Sequence, residues 1–170
     1  MYYSNNSDVF YNQKKVDPFL EALASGGFQV EEYARLQFPN GKLIDAPYKD
    51  DNYPFFHEET KKLFDQDEVV IYEAGFLYDH LFVRTDILQK KGNEIHLIEV
   101  KAKSYNPNDL YTFITKTGKI DSSWKPYLFD LAFQTYVVQK CYPTLKVVPY
   151  LYLVDKTKSA TIDGLNQMFR

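Results

Sequence analysis

Apolar residues gather in three short runs in the middle of the chain, at residues 68–76, 81–88 and 95–102, with a fourth at 146–154. β-branched and aliphatic residues fill each run, which predicts strands. The second and third runs flank the polar stretch Lys90-Lys91-Gly92-Asn93-Glu94. A Gly-Asn turn between two such runs predicts a β-hairpin. Side chains alternate along a strand, so parity decides which residues meet. On the second hairpin strand Ile95, Leu97, Glu99, Lys101 and Lys103 share one face, and Ile98, Val100 and Ala102 the other. On the first strand Phe82, Arg84, Asp86 and Leu88 share a face. A suitable register sets Asp86 beside Glu99, with Lys101 one step further along. Two carboxylates and an ammonium then converge at the end of apolar strands, which is costly unless the charges hold a metal ion or one another.

With residues 68–76 the hairpin becomes a three-stranded antiparallel meander. Glu73 interrupts that run and is read as the partner of a nearby Lys or Arg, with an auxiliary metal role left open. Helices are predicted on either side. Asp17-Pro18 marks a helix start, with Phe19, Leu20, Leu23 and Ala24 as its apolar stripe. Gly26-Gly27 interrupts it, and residues 30–38 resume as a second helical piece stopped by Pro39-Asn40-Gly41. Residues 41–54 read as a loop or short strand. Residues 55–64 read as a helix with His57 on its wet side as an ordinary surface or capping histidine. Residues 126–141 form the strongest helical pattern, ended by Tyr142-Pro143. Leu128, Leu131, Ala132, Thr135 and Val138 make its apolar face, while Tyr127, Asp130 and Gln134 lie on a more polar one. The run at 146–154 is the return strand, and Pro149 argues for an edge or bulged position. The sum is one α/β (α+β) domain over residues 1–170, a mixed sheet with an antiparallel meander flanked by helices. Residues 1–16 read as an edge strand or loose arm. The polar tail 155–170 reads as the beginning of a further segment, so the chain is expected to be a piece of a larger protein.

Composition narrows the chemistry. The formal net charge of −3 over 170 residues gives no general basic footprint, so nucleic-acid binding rests on a local patch or on cations held by an acidic site. One cysteine, Cys141, excludes an internal disulfide and a Cys-ligated iron–sulfur cluster. No signal peptide or long apolar span stands out, which makes a membrane an unexpected partner and the cytoplasm the expected location. Residues 103–125 are long for a connection and interleave Tyr105, Tyr111, Phe113 and Trp124 with Lys103, Lys116, Lys119 and Lys125. Two readings stay open: plates for stacking single-stranded bases beside phosphate-binding lysines, or aromatics that anchor the loop to the core.

Asp86, twelve residues, then Glu99-Val100-Lys101 resembles the core of the PD-(D/E)XK phosphodiesterase superfamily, with Thr85-Asp86 in place of the "PD". The resemblance extends to its RecB-like branch through Gly27-Phe28-Gln29-Val30-Glu31 before the sheet and Phe133-Gln134-Thr135-Tyr136 after it. The order of these segments is similar to the N-terminal region of uncharacterised bacterial RecB-like proteins. The branch's tyrosine position, four residues after the glutamine, is Val138 here, and Tyr136 is the nearest tyrosine. The resemblance implies a restriction-endonuclease-like fold and a nuclease, expected to be a DNA exonuclease. It implies Mg²⁺ or Mn²⁺ held by Asp86, Glu99, the Val100 carbonyl and Glu31, with Glu32 as the fallback. It also implies that Lys101 assists the attacking water and that Gln134 orients phosphate or water. Lys103, Tyr105, Lys116, Lys119, Trp124 and Tyr136 are the expected DNA contacts. A further domain or partner protein is the expected complement. The competing reading is a non-catalytic nucleic-acid- or protein-binding module on the same fold.

Overall fold

The computed structural model describes residues 18–46 and 52–159. The expected N-terminal arm, the Asp17 cap and the tail beyond residue 159 lie outside the described residues, as do the side chains of Phe19, Leu20, Leu23 and Ala24. The elements in order are α1 (Pro18–Leu36), β1 (Lys42–Leu43), α2 (Tyr53–Phe64), β2 (Glu68–Tyr78), β3 (Leu81–Lys91), β4 (Glu94–Tyr105), α3 (Lys125–Cys141) and β5 (Lys146–Asp155). The strands form one sheet in the order β1-β2-β3-β4-β5. Its centre, β2-β3-β4, is the antiparallel meander, while β1 and β5 pair in parallel at the two edges. Pro149 falls on edge strand β5, where a missing backbone donor faces no further strand.

Two apolar layers hold the sheet. On one side α2 and α3 bring Phe56, Phe64, Leu131, Val137 and Val138 against Ile71, Phe76, Leu88, Ile95 and Leu97. Phe64 stacks on Tyr142 at 4.4 Å between ring centroids and meets Phe76 edge-on at 5.9 Å. On the other side α1 sets Ala34 against Ile87, Ile98 and Val100. Each fully buried aliphatic side chain here contributes about 2 kcal/mol by leaving water, so both helical layers are bound to the sheet by several such increments.

Three sequence expectations change. The helix at residues 18–36 runs through Gly26-Gly27 without a break. Two helical glycines cost about 1 kcal/mol each relative to alanine, too little to end a nineteen-residue helix. The buried face of α3 is Leu131, Gln134, Val137 and Val138, so Gln134 turns inward, whereas Ala132 faces water. The physical reason lies beneath it, in a buried carboxylate on β4 that needs a donor. His57 is half-buried, and its Nδ1 accepts the Leu77 N–H at 3.2 Å, which ties α2 to β2.

Candidate active site

The hairpin closes through the two-residue turn Gly92-Asn93, with Gly92 at φ 55°, as the Gly-Asn signal requires. Its register runs from Lys91↔Glu94 to Ile87↔Ile98, and the ladder stops there. Beyond that point β3 stays with β2 as far as Tyr78↔Leu81, while β4 stays with β5. The sheet therefore forks, and the next residues along the two strands are Asp86 and Glu99. In the fork Asp86 Oδ2 accepts the Val100 N–H at 2.7 Å, in place of the missing strand partner.

β2 and β3 carry a second irregularity at the same level. The cross-strand pairs Ile71↔Leu88 and Ala74↔Thr85 both face α2 and α3, although they are an odd step of three positions apart on each strand. Side-chain alternation inverts between them, where Glu73 has φ 59° and the Glu73–Asp86 step makes no ladder pair. A non-glycine residue with positive φ inside a strand is strained and needs its surroundings to hold it. The expected shared face for Arg84, Asp86 and Leu88 is thus corrected, because the alternation slips at Asp86. Two arginines hold Glu73: Arg35 Nη2 reaches Oε1 at 3.0 Å and Arg84 Nε reaches Oε2 at 2.8 Å. The expected Lys or Arg partner is present twice over.

The site residues then assemble from five elements. Glu31 on α1, Glu73 on β2 and Asp86 on β3 bring carboxylate oxygens within 4.8 Å of one another. Glu32, the fallback, points outward to Arg35 Nη1 at 3.1 Å and is half-exposed. From β4, Glu99 is 3% exposed. Lys101 Nζ donates to its Oε1, and Gln134 Nε2 on α3 donates to its Oε2 at 2.7 Å. Gln134 Oε1 is buried and has no protein partner, so it can accept from water or substrate in the site. Asp130 Oδ2 lies 3.9 Å from Lys101 Nζ.

Charge crowding and burial shape the protonation of this group. Burial raises Asp86 from 3.8 to about 7, reinforced by the Glu99 charge and opposed by the Val100 N–H. Burial raises Glu73 to about 7, opposed by Arg84. Glu99 is also raised by burial, against the pull of Lys101 and Gln134. Burial works against the Lys101 ammonium, but Glu99, Asp86 and Asp130 outweigh it and hold that pKa above the usual lysine range. Carboxylates driven together in this way gain from a hard cation, and oxygen donors of this type suit Mg²⁺ or Mn²⁺. Among the described residues the carboxylates close enough to share one such ion are Glu31, Glu73 and Asp86; Glu99, the other expected ligand, stands outside that group, with its two oxygens accepting from Lys101 and Gln134.

The expected DNA contacts divide. Trp124 is only 6% exposed, packed against Phe113 with 4.9 Å between ring centroids, so it anchors the loop instead of offering a stacking plate. Lys103 lies over the Trp124 ring at 4.6 Å and donates to the Ser123 carbonyl at 3.0 Å, which fixes it in the same anchor. Tyr136 is exposed but sits two residues beyond inward-facing Gln134, a rotation of about 200°, and its neighbour is Lys140. It stands away from the fork, and Val138 at the branch's tyrosine position is fully buried in the core. Lys116 and Lys119 are exposed on the 106–123 loop, Lys116 lying over the Tyr111 ring at 5.7 Å. Tyr105 is half-buried at the end of β4. Arg35 is the residue that sequence reasoning missed, while Glu73, for which an auxiliary metal role was left open, joins the carboxylate cluster. Arg35 carried no signal beyond its place one helical turn from Glu31.

No described helix is long and apolar enough to cross a membrane. No family model, curated protein or solved structure matches the chain.

Proposed function

We propose that this chain is a metal-dependent phosphodiesterase of the PD-(D/E)XK superfamily, in its RecB-like branch, which hydrolyses DNA and works as an exonuclease. The observation that carries the reading is the fork. Asp86 is held there by the Val100 N–H, and Glu99 is held between Lys101 and Gln134. The order of helix, three-stranded meander, helix and parallel return strand agrees with a restriction-endonuclease-like core.

In this reading Asp86, Glu99, Glu31 and the Val100 carbonyl hold Mg²⁺ or Mn²⁺. When bound, the ion supplies Lewis acidity toward the phosphoryl oxygen and makes water a better nucleophile. The chain's own groups do the rest. Lys101 stays protonated in the free site and gives its positive charge to the extra negative charge that develops on the phosphorus oxygens. Glu99 holds Lys101 in place beside the attacking water, whose proton passes to solvent. Gln134 anchors Glu99 through Nε2 and offers Oε1 to orient that water. Lys116 and Lys119 attract the DNA backbone from the loop. A cytoplasmic location and a further domain or partner protein complete the proposal.

The test is incubation of the purified chain with end-labelled single-stranded and duplex DNA in Mn²⁺ or EDTA. Cleavage that requires Mn²⁺ and is lost in Lys101→Ala and Asp86→Ala supports the reading. Cleavage that persists in either variant would rule the assignment out. The second reading, a non-catalytic binding module, is favoured by one feature: Glu99 and Glu73 already have cationic partners inside the chain. DNA binding with no cleavage under any metal would select it.

A further inference from the structure

The loop between β4 and α3 closes a small hairpin of its own at residues 113–121. Ile114 and Ile120 pair across it in antiparallel fashion. The Asp121 N–H donates to the Phe113 carbonyl at 3.0 Å, and the Thr115 N–H to the Lys119 carbonyl at 2.7 Å. Gly118 at φ 76° makes the turn, and the Thr115 hydroxyl accepts the Lys119 N–H across it at 3.2 Å. Alternation sends Phe113 and Ile114 to opposite faces. Phe113 packs inward on the buried Trp124, which Lys103 covers from β4, so one face of the hairpin is fixed to the domain. The other face shows Ile114 and Ile120, 53% and 48% exposed. A cross-strand pair of branched aliphatics belongs on a covered face, yet this pair stands in water on a firmly held element.

The surroundings of the pair say what it meets. Lys116 and Lys119 are exposed on the turn between the two isoleucines, and residues 114–120 contain no acid. The acids of the loop turn back to its own backbone: Asp109 accepts the Tyr111 N–H at 3.0 Å and Asp121 the Ser123 N–H at 2.9 Å. The hairpin rises where β4 leaves the candidate site. Lys103, which covers its anchor, is two residues or about 7 Å along β4 from Lys101. An apolar pair flanked by lysines matches the end of a DNA duplex, where an apolar base-pair face is edged by phosphates. Aromatic plates would suit a single strand, but here Phe113 and Trp124 face inward and the aliphatics outward. Aliphatic side chains part base steps instead of serving as stacking plates. We propose that the 113–121 hairpin is a wedge for duplex ends. Ile114 and Ile120 lodge against the terminal base pair and unstack it, and Lys116 and Lys119 hold the phosphates of the parted strands. One strand is thereby delivered to the candidate site. The proposal rests on the phosphodiesterase reading and adds the form of DNA the chain takes, a duplex end opened by the chain itself.

The test uses a blunt duplex carrying aminopurine, a base analogue that fluoresces when unstacked, in its terminal pair. It is read in EDTA, where a metal-dependent reaction does not proceed. Wild type is compared with Ile114→Ser/Ile120→Ser, and cleavage of blunt duplex and single strand in Mn²⁺ runs in parallel. Wild type is expected to raise the fluorescence of the terminal probe and not that of a probe in mid-duplex. The serine variant is expected to lose that rise while still binding the duplex by anisotropy. It is also expected to be slowed about 10–100-fold more on blunt duplex than on single strand, the cost of unstacking one base step expressed as a rate. Wild type that binds the duplex without the rise overturns the proposal, and that measurement stands even if the serine variant fails to fold. A rise that survives in the folded serine variant overturns it as well. Wild-type dimers that the serine substitutions dissociate, without unstacking, would also overturn it and assign the patch to a second copy. Unstacking without cleavage would remove the phosphodiesterase reading alone, and cleavage without unstacking would remove the wedge alone. Failure of wild type to bind duplex DNA in either EDTA or Mn²⁺ removes both.

Discussion

Asp86→Asn removes one charge and little else. The asparagine carbonyl can accept the same Val100 N–H that Asp86 Oδ2 accepts at 2.7 Å, so the fork keeps its bond. The carboxylate itself is a burden on the metal-free fold. Its pKa rises from 3.8 to about 7 because it is buried beside Glu99. A group whose folded pKa is raised supports the fold below its unfolded pKa, and that support is lost as pH climbs toward the folded value. At about 1.4 kcal/mol per pH unit, the gap sets a ceiling of about 4 kcal/mol, lost between roughly pH 4 and 7. Relative to wild type, Asp86→Asn is therefore expected to be equally stable near pH 4 and increasingly more stable up to about pH 7. Above that the difference levels off at about 1–4 kcal/mol. For a chain of this size that is a rise of at least several degrees in Tm, since 1 kcal/mol shifts Tm by about 2–4 °C. Urea denaturation in EDTA at pH 4, 5.5, 7 and 8 measures it. Adding Mn²⁺ is expected to stabilise wild type at pH 8 and to leave Asp86→Asn unchanged. A variant less stable than wild type at pH 8, or a difference that does not change with pH, would refute the reasoning. A stabilising loss of a side chain marks that side chain as kept for something other than folding.

Three further outcomes are expected. Lys101→Met is expected to lower cleavage by about 10²–10⁴-fold while Mn²⁺ binding persists, as read by single-turnover kinetics and calorimetry. Thr60→Val tests the packing of α2 on β2, because the Thr60 hydroxyl donates to the Phe56 carbonyl at 2.8 Å and accepts the Gly75 N–H at 2.9 Å. Valine leaves that buried N–H unpaired and is expected to cost about 1–3 kcal/mol in thermal or chemical denaturation, with no separate effect on metal affinity. Replacing Lys116 and Lys119 with glutamine is expected to weaken single-stranded DNA binding and to reduce the slope of log affinity against log salt by about 1.4, measured by fluorescence anisotropy. An unchanged slope would take the DNA path off this loop.

The hairpin was legible in the sequence because one local signal fixed it. Gly92-Asn93 admits a two-residue turn, and a two-residue turn leaves one register, which brings Asp86 level with Glu99. The edge position of β5 followed from Pro149 in the same local way. What the sequence did not disclose depends on contacts between distant segments. Nothing near Glu73 announces a positive φ, since the strain is sustained by Arg35 from α1 and Arg84 from β3. Periodicity alone put Gln134 on a polar flank, and only the resemblance made it a site residue; Glu99, thirty-five residues earlier, draws it inward. Trp124 could equally have faced bases or core, and packing against Phe113 decided for the core. Alternation along a strand foresees faces, but it does not foresee the point at which a strained residue inverts them.

The central claim is that the fork between β3 and β4 holds a divalent ion used for phosphodiester hydrolysis. Calorimetric titration of Mn²⁺ into wild type and Glu99→Ala, with labelled DNA added to the same samples, tests it most directly. The account predicts that wild type binds the ion and cleaves the DNA, and that Glu99→Ala loses both together. Failure of folded wild type to bind Mn²⁺ at millimolar concentration, or DNA cleavage that survives in Glu99→Ala, would contradict it.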